Sequence, residues 1–314
     1  MDIPSRDSIS ETVEKIKQKK ISVVDLVKQH IDLAKNIQAE TNAFITIFDG
    51  ENNTEEYNPI EEAKKLDEKL TNGESIDNLD LIGIPFTAKD LYLVKNTHTT
   101  FGSKLMEDFV APYTGTVIGK CLEKGAILIA KCNCDPWGFG GSGENSGFGP
   151  TKNPYDLERS PGGSSSGSAA SLSAGVGFFS LGTDTGGSVR QPAAMCGLYG
   201  YKPTYGRNSR YGIGVMGSSF DTPAFFTRYA TDTILIEKVI QGRDSNDATT
   251  DDYNLHKFEA NKKPVIGIPK EFFEEGINDE VKNAIDSKIE EYKNNGFEVK
   301  EVSIPSASYS LSVY

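Results

Sequence analysis

The chain has 314 residues, 37% hydrophobic and 10% aromatic, enough to bury one large core or two smaller ones. Its net charge of −12 excludes gripping nucleic acid unaided, because phosphate neutralisation needs clustered Lys and Arg. No stretch is apolar over the roughly eighteen residues of a membrane span, and the N-terminal MDIPSRDSISETVEKIKQKK has neither a secretory apolar core nor an acid-poor, Arg-rich face, so a cytoplasmic location is expected.

Helices are predicted over Ser8 to Lys17 and Val23 to Gln38, the second with Ser22 as N-cap, Asp25 three residues on, and Val23, Leu26, Val27, Ile31 and Ala34 on one face. Ala43 to Phe48 reads as a strand, Glu51 to Pro59 as an acidic loop, and Ile60 to Leu70 as a charged helix ending near Gly73. A strand is predicted from Leu81 to Ala88, weakened by Gly83 and Pro85 and ending on Lys89-Asp90. Val117 to Lys124 then forms a helix and Ala126 to Ala130 a buried strand. Gly138 to Gly149 lacks the Lys-Ser/Thr ending of a P-loop and dinucleotide-binding spacing, so it reads as a loop whose backbone lines a pocket.

Beyond the Gly/Ser-rich stretch, a helix is expected over Thr231 to Gln241 and a polar loop over Arg243 to Asn254. Pro264 to Ile268, Val281 to Tyr292 and Phe297 to Ile304 follow as a βαβ unit with Gly296 as the helix stop. Tyr309 to Tyr314 continue an apolar pattern to the last residue, so the domain is expected to be incomplete at its C-terminus. Cys121, Cys132, Cys134 and Cys196 show no zinc-ligand spacing and read as reduced thiols; Cys132-Asn133-Cys134 reads as small core residues, and no metal site is expected.

The chemistry concentrates between Arg159 and Gly206, where Gly162-Gly163 and Gly186-Gly187 each precede a serine. A strand ending at Leu181, a Gly-Gly turn and Ser188 opening a helix would converge the N–H groups of Thr185, Gly186, Gly187 and Ser188 on one oxyanion. A tight turn with a serine N-cap is the plainer reading of that segment alone. A nucleophilic serine needs a base. The only histidines, His30, His98 and His256, lie outside this stretch, which leaves a buried lysine among Lys89, Lys131, Lys152 and Lys202. Ser164, Ser165 and Ser166 each offer a hydroxyl to pass the proton.

Gly162-Gly163-Ser164-Ser165, followed by Gly182-Thr183-Asp184-Thr185-Gly186-Gly187-Ser188-Val189-Arg190, resembles the amidase signature family, and Gly83-Ile84-Pro85 leading to Lys89-Asp90 resembles its lysine strand. The resemblance runs from Ser22 onward. It implies a mixed central β-sheet flanked by helices on both faces, in one domain over 1–314, with a mainly helical part over 1–75 and a catalytic core over 81–240. It also implies Ser188 as nucleophile, Ser164 as bridging serine behind a cis peptide, and Lys89 as ultimate base, with oxyanion N–H groups from Thr185, Gly186 and Gly187. Gly140, Gly141 and Ser142 would line the substrate pocket, and Asp184 and Arg190 would brace the loop.

Gly143-Glu144-Asn145-Ser146, Phe148 to Pro154, Asp156 to Arg159 and Lys202 to Arg207 resemble the branch of the family that forms A subunits of glutamyl-tRNA(Gln) amidotransferases. That branch hydrolyses glutamine and passes ammonia to a B subunit, which holds the tRNA, with a small C subunit clamping the two. No cofactor is expected in this chain, and ATP and Mg are expected on the partner subunit. The alternative is a stand-alone amidase acting on another small amide, or an inactive fragment. The sequence departs from the branch at Ser166, where Gly is usual, at Asp90-Leu91, at Cys134 to Gly141 and at Asp221 to Phe226. These departures bear on substrate specificity more than on the triad.

Overall fold

A computed structural model describes residues 7–51, 56–251, 263–273 and 276–314. Part of the loop expected over Glu51 to Pro59, residues 52–55, lies outside them, as do residues 252–254 of the Arg243 to Asn254 loop and His256. The chain divides into two compact units, Met1–Tyr253 and Asn254–Tyr314. Among the described residues no helix is long and apolar enough to cross a membrane.

The first unit opens with α1 (Ile9–Lys17), started by a reciprocal capping box between Ser8 and Glu11 that satisfies otherwise orphaned backbone donors. In α2 (Val23–Thr41), Ser22 Oγ accepts from Asp25 N, and the predicted apolar stripe is buried. Strand β1 (Phe44–Ile47) and helix α3 (Pro59–Asn72) follow; α3 starts on Asn58 and Pro59 and ends on the left-handed Gly73. Asp67 of α3 accepts from Val23 N at 2.9 Å and Val24 N at 3.0 Å, a carboxylate placed on the exposed donors of the α2 N-terminus.

Next come β2 (Pro85–Lys89), α4 (Thr116–Glu123), β3 (Ile127–Cys132), α5 (Ser166–Ser173), β4 (Phe179–Asp184), α6 (Arg190–Met195), β5 (Tyr199–Tyr201), β6 (Thr222–Thr227) and α7 (Ala230–Ile240). The six strands form one sheet in the order β1-β3-β2-β4-β6-β5. Strands β3, β2 and β4 are mutually parallel at its centre, β1 runs antiparallel to β3, and β6 antiparallel to both β4 and β5. Helices cover both faces of this mixed sheet. Strands β2, β3, β4 and β6 are buried along their whole length, and the Phe86 and Phe179 rings stack at 4.8 Å.

Three boundaries differ from the sequence expectation. Leu81 to Ile84 is a turn, closed by Ile84 N donating to Leu81 O at 3.0 Å with Gly83 at φ +70°, so the strand starts at Pro85, which needs no ladder donor there. The strand expected to end at Leu181 continues to Asp184, paired along β6. The helix expected to open at Ser188 begins at Arg190, and the Asp184 carboxylate accepts from the N–H groups of Val189 and Arg190 at its start.

Helix α5 is buried from Ser166 to Leu172. Its small residues are what the slot permits: a Cβ on Gly167 would stand 2.2 Å from Ala43 O and 2.6 Å from Asn133 N. Ser171 Oγ lies 3.2 Å from Thr87 Oγ1, so α5 covers the sheet face that carries Thr87 and Lys89. The second unit contains β7 (Ile266–Pro269), α8 (Asp279–Asn294) and β8 (Val299–Val302), a βαβ unit with its strands parallel, and the short α9 (Ser310–Val313). Gly296, at φ +76°, stands just past the α8 cap.

Candidate active site

Lys89 is the last residue of β2 and has no exposed surface. Its Nζ lies 2.8 Å from Ser164 Oγ and 2.9 Å from Thr183 Oγ1. Burial pushes its pKa down to about 8, against the opposing pull of Cys134, Asp135, Asp184 and Asp221. The other lysines are engaged elsewhere. Lys131 forms a fully buried ion pair with Asp90 Oδ1 at 2.6 Å, Lys202 Nζ donates to Pro203 O at 2.6 Å, and Lys152 is exposed. His30 accepts from Gly177 N through Nδ1 at 3.1 Å beside the Phe178 ring, and burial holds its pKa down at about 3. His98 pairs across an isolated bridge with Val110.

The Gly163-Ser164 peptide bond is cis. Asp135 and Gln191 shape this turn. Gln191 Oε1 accepts from Gly163 N at 2.9 Å, while its Nε2 donates to Gly141 O at 2.9 Å. Asp135 accepts from Gly143 N at 3.0 Å and Asn145 N at 3.1 Å, folding the glycine-rich loop around its carboxylate, and its own N–H donates to Ser164 O at 3.2 Å. A Cβ on Gly163 would meet Asp135 Oδ2 at 2.3 Å, so only glycine admits this approach.

Ser188 lies on the turn between β4 and α6, 7% exposed, and among the described residues its hydroxyl has no hydrogen-bond partner. The two serine turns meet through Ser165, whose N–H donates to Ser188 O at 3.3 Å and whose Oγ donates to Thr183 O at 3.2 Å. No hydrogen bond joins the Ser164 and Ser188 hydroxyls among the described residues. Asp184 organises the Ser188 turn: Arg190 grips it with Nε at 3.0 Å and Nη2 at 2.9 Å, and Gly187 N, Val189 N and Arg190 N donate to it. Burial raises the Asp184 carboxyl pKa, but the Arg190 hydrogen bonds outweigh it, and the net shift is downward. The Gly187 N–H is therefore committed to Asp184 at 2.8 Å, whereas those of Thr185, Gly186 and Ser188 have no backbone acceptor among the described residues.

A cavity of about 210 Å³ opens beside Thr183, walled by Arg210, Val215, Met216, Asp221, Thr222 and Asp247 among others. Gly140, Gly141 and Ser142 are not part of that wall. Gly141 and Ser142 spend their carbonyls on Gln191 and on Ser160 Oγ, the latter at 2.6 Å, and Gly140 packs against Asp135. Asp221 ties the cavity wall to the serine turn, accepting from Thr185 Oγ1 at 2.7 Å as well as from Met216 N and Gly217 N. Sequence reading did not single out Thr183, Asp135, Gln191 or Asp221. Thr183 stood inside the motif, and Asp135 and Asp221 inside the runs Cys134 to Gly141 and Asp221 to Phe226 that depart from the branch, but nothing in their local spacing marks a contact. All four cysteines are free and buried, and among the described residues no three His, Cys, Asp or Glu side chains gather as a metal-binding group.

A family model described as amidase matches residues 25–314. The chain is 42% identical over 304 residues to the A subunit of glutamyl-tRNA(Gln) amidotransferase from Clostridium botulinum (strain Alaska E43 / Type E3), covering 95% of this chain and 61% of that protein. It is 43% identical over 312 residues to the same-named protein from Carboxydothermus hydrogenoformans, covering 98% and 62%. The crystal structure of the glutamyl-tRNA(Gln) amidotransferase A subunit from Thermotoga maritima superposes with a TM-score of 0.83 at 34% identity, covering 98% of this chain and 64% of that one. The chain thus spans about six-tenths of the length of the curated relatives it matches. With the family matched over nearly its whole length and a mixed sheet carrying the lysine strand and both serine turns, the chain belongs to the amidase family.

Proposed function

We propose that this chain transfers the acyl group of an amide to Ser188, with Ser164 and Lys89 moving the proton. The observation that carries this reading is a lysine amine with no exposed surface, 2.8 Å from Ser164 Oγ, beside the turn that bears Ser188. The Ser188 oxygen attacks the amide carbonyl carbon, and its proton passes through Ser164 to the Lys89 amine. The oxyanion forms against the N–H groups of Thr185, Gly186 and Ser188; Gly187 stays with Asp184 and holds the turn. The carbon–nitrogen bond breaks as the proton returns from Lys89 through Ser164 to the leaving nitrogen, which departs as ammonia. Water then repeats the sequence on the Ser188 ester and releases the carboxylate. The Ser164 to Ser188 hydrogen bond belongs to the substrate complex, since catalytic hydrogen bonds are often looser without substrate.

The likeness to amidotransferase A subunits at above 40% identity supports glutamine as the amide. In this reading the ammonia goes to a B subunit that holds Glu-tRNA(Gln), a C subunit clamps the pair, and ATP and Mg work on the partner. An acidic chain fits that division, leaving the tRNA to another protein. The reading places the chain in the cytoplasm. The test is ammonia release from glutamine, alone and with B and C subunits and Glu-tRNA(Gln), together with labelling of Ser188 by a fluorophosphonate. Partner- and tRNA-stimulated release, lost with Ser188→Ala, is expected. Turnover of simple amides without glutamine turnover sinks the glutamine assignment, and unchanged labelling of Ser188→Ala removes Ser188 as nucleophile.

A further inference from the structure

The Lys89 amine has two hydroxyl partners, and the proton path uses only one. A neutral amine carries two N–H bonds and one lone pair, and it takes a proton from Ser164 only if that lone pair faces Ser164 Oγ. An N–H must then be received by another acceptor. Thr183 Oγ1, at 2.9 Å, is the one other side-chain partner of Lys89 Nζ among the described residues.

Thr183 is well placed to hold that orientation. It is 6% exposed and sits on β4 opposite Pro223 of β6. Its N–H donates to Ser165 Oγ at 3.3 Å and its carbonyl accepts from the same hydroxyl at 3.2 Å, so its backbone is locked to the turn that carries Ser164. It also forms part of the cavity wall, where a substrate would lie against it. The reversed arrangement, in which Thr183 donates to the lone pair and Lys89 donates to Ser164, leaves no base for the nucleophile.

We propose that Thr183 is a positioning residue: its hydroxyl receives an N–H of Lys89 and thereby aims the lysine lone pair at Ser164. This rests on the acyl-transfer reading of Ser188, Ser164 and Lys89. The titratable groups that face Lys89 are Cys134, Asp135, Asp184 and Asp221, and all stay unchanged in the variants below.

The experiment follows the rate of Ser188 labelling by a fluorophosphonate against pH in the wild-type chain, Thr183→Val and Thr183→Ser, with melting temperatures measured alongside. Valine keeps the shape and removes the acceptor. The expected plateau falls on the order of tenfold or more, and the midpoint moves to lower pH, because an acceptor oxygen favours the ammonium over the amine. Serine restores both plateau and midpoint. Should valine lower the melting temperature by several degrees, Thr183→Ala provides the same comparison. A valine or alanine variant with the wild-type plateau and midpoint overturns the proposal, as does a serine variant as impaired as valine. A wild-type chain that does not label at Ser188 fails differently: it removes the acyl-transfer reading and this proposal together.

Discussion

In the proposed acyl transfer Lys89 would act as a base only in its neutral form, so the rate of Ser188 acylation should follow its titration. Burial lowers its pKa from 10.5 to about 8. At pH 7 about a tenth of the molecules then hold a neutral amine, against roughly three in ten thousand for an unperturbed lysine, a difference of about 3 kcal/mol. The labelling rate with a fluorophosphonate, measured from pH 5.5 to 10, should rise about tenfold per pH unit up to the midpoint near 8 and level above it. The same shift sets a stability window. The folded pKa lies below the unfolded one, so between about 8 and 10.5 the unfolded chain binds more protons and stability rises with pH. Below that window the buried ammonium costs about 3 kcal/mol. Lys89→Met should therefore abolish the pH-dependent acylation while raising the melting temperature at pH 7, with the gain shrinking between about pH 8 and 10.5. A pH-independent labelling rate, a midpoint near 10.5, or a destabilised Lys89→Met chain refutes the reasoning.

Three further outcomes follow from the same geometry. Gly167→Ala places a carbon 2.2 Å from Ala43 O and 2.6 Å from Asn133 N, both fixed main-chain atoms, so stability should fall by about 1–3 kcal/mol, seen as a lowered melting temperature. Asp184→Asn removes the charge that gathers Gly187 N, Val189 N and the Arg190 guanidinium; a loss of about 1–3 kcal/mol and slower Ser188 labelling are expected, and wild-type values in both would mean the brace is dispensable. For Asp247, burial raises the pKa, but hydrogen bonds from Arg210 N and Thr249 outweigh it and leave it at about 2. Its contribution is present above the unfolded value of 3.8 and lost as pH falls through about 2, so the stability gap between wild type and Asp247→Asn in urea melts should narrow over that interval.

Periodicity and caps made most of the fold legible. Ser8, Ser22 and Gly73 mark helix ends as local chemistry requires, and the apolar runs of β3 and β7 need no partner to be recognised. What local pattern missed depends on contacts distant in sequence. Ser188 lies just ahead of α6, where Asp184, four positions earlier and on a strand, accepts from Val189 N and Arg190 N at the start of the helix, a contact that local spacing does not show. The Leu81 to Ile84 turn looks like strand because its apolar residues are buried, although Gly83 and Pro85 set its ends. At the site, motif order picked out Lys89 and Ser164, which lie in hydrogen-bond contact, but it could not show Gly187 bound to Asp184. Nor did the glycine loop disclose that its carbonyls face Gln191 and Ser160 rather than the cavity beside Thr183.

Two fully buried lysines on adjacent strands show what distinguishes an ion-paired cation from an amine suited to the base role proposed above. Ala88 pairs with Lys131 and Lys89 with Cys132, so side-chain alternation sends the two lysines to opposite faces of the sheet. Lys131 meets the Asp90 carboxylate at 2.6 Å, and Asp90 is itself satisfied by Thr100 N at 2.7 Å and Thr100 Oγ1 at 2.6 Å. That arrangement compensates a buried charge, and removing one partner would strand the other. Lys89 meets only hydroxyls, which leave an ammonium poorly compensated but suit a neutral amine that gives one hydrogen bond and accepts another. Neighbouring residues Lys89 and Asp90 thus differ in their partners: Asp90 anchors the end of β2 through Lys131, and Lys89 on the same strand forms no ion pair among the described residues. Asp90→Asn should consequently lower both melting temperature and acylation rate while leaving the pH midpoint of labelling near its wild-type position. A midpoint displaced to lower pH would show instead that the charge of the pair sets the titration of Lys89 and not only its place, because losing the anion beside Lys131 disfavours a second ammonium.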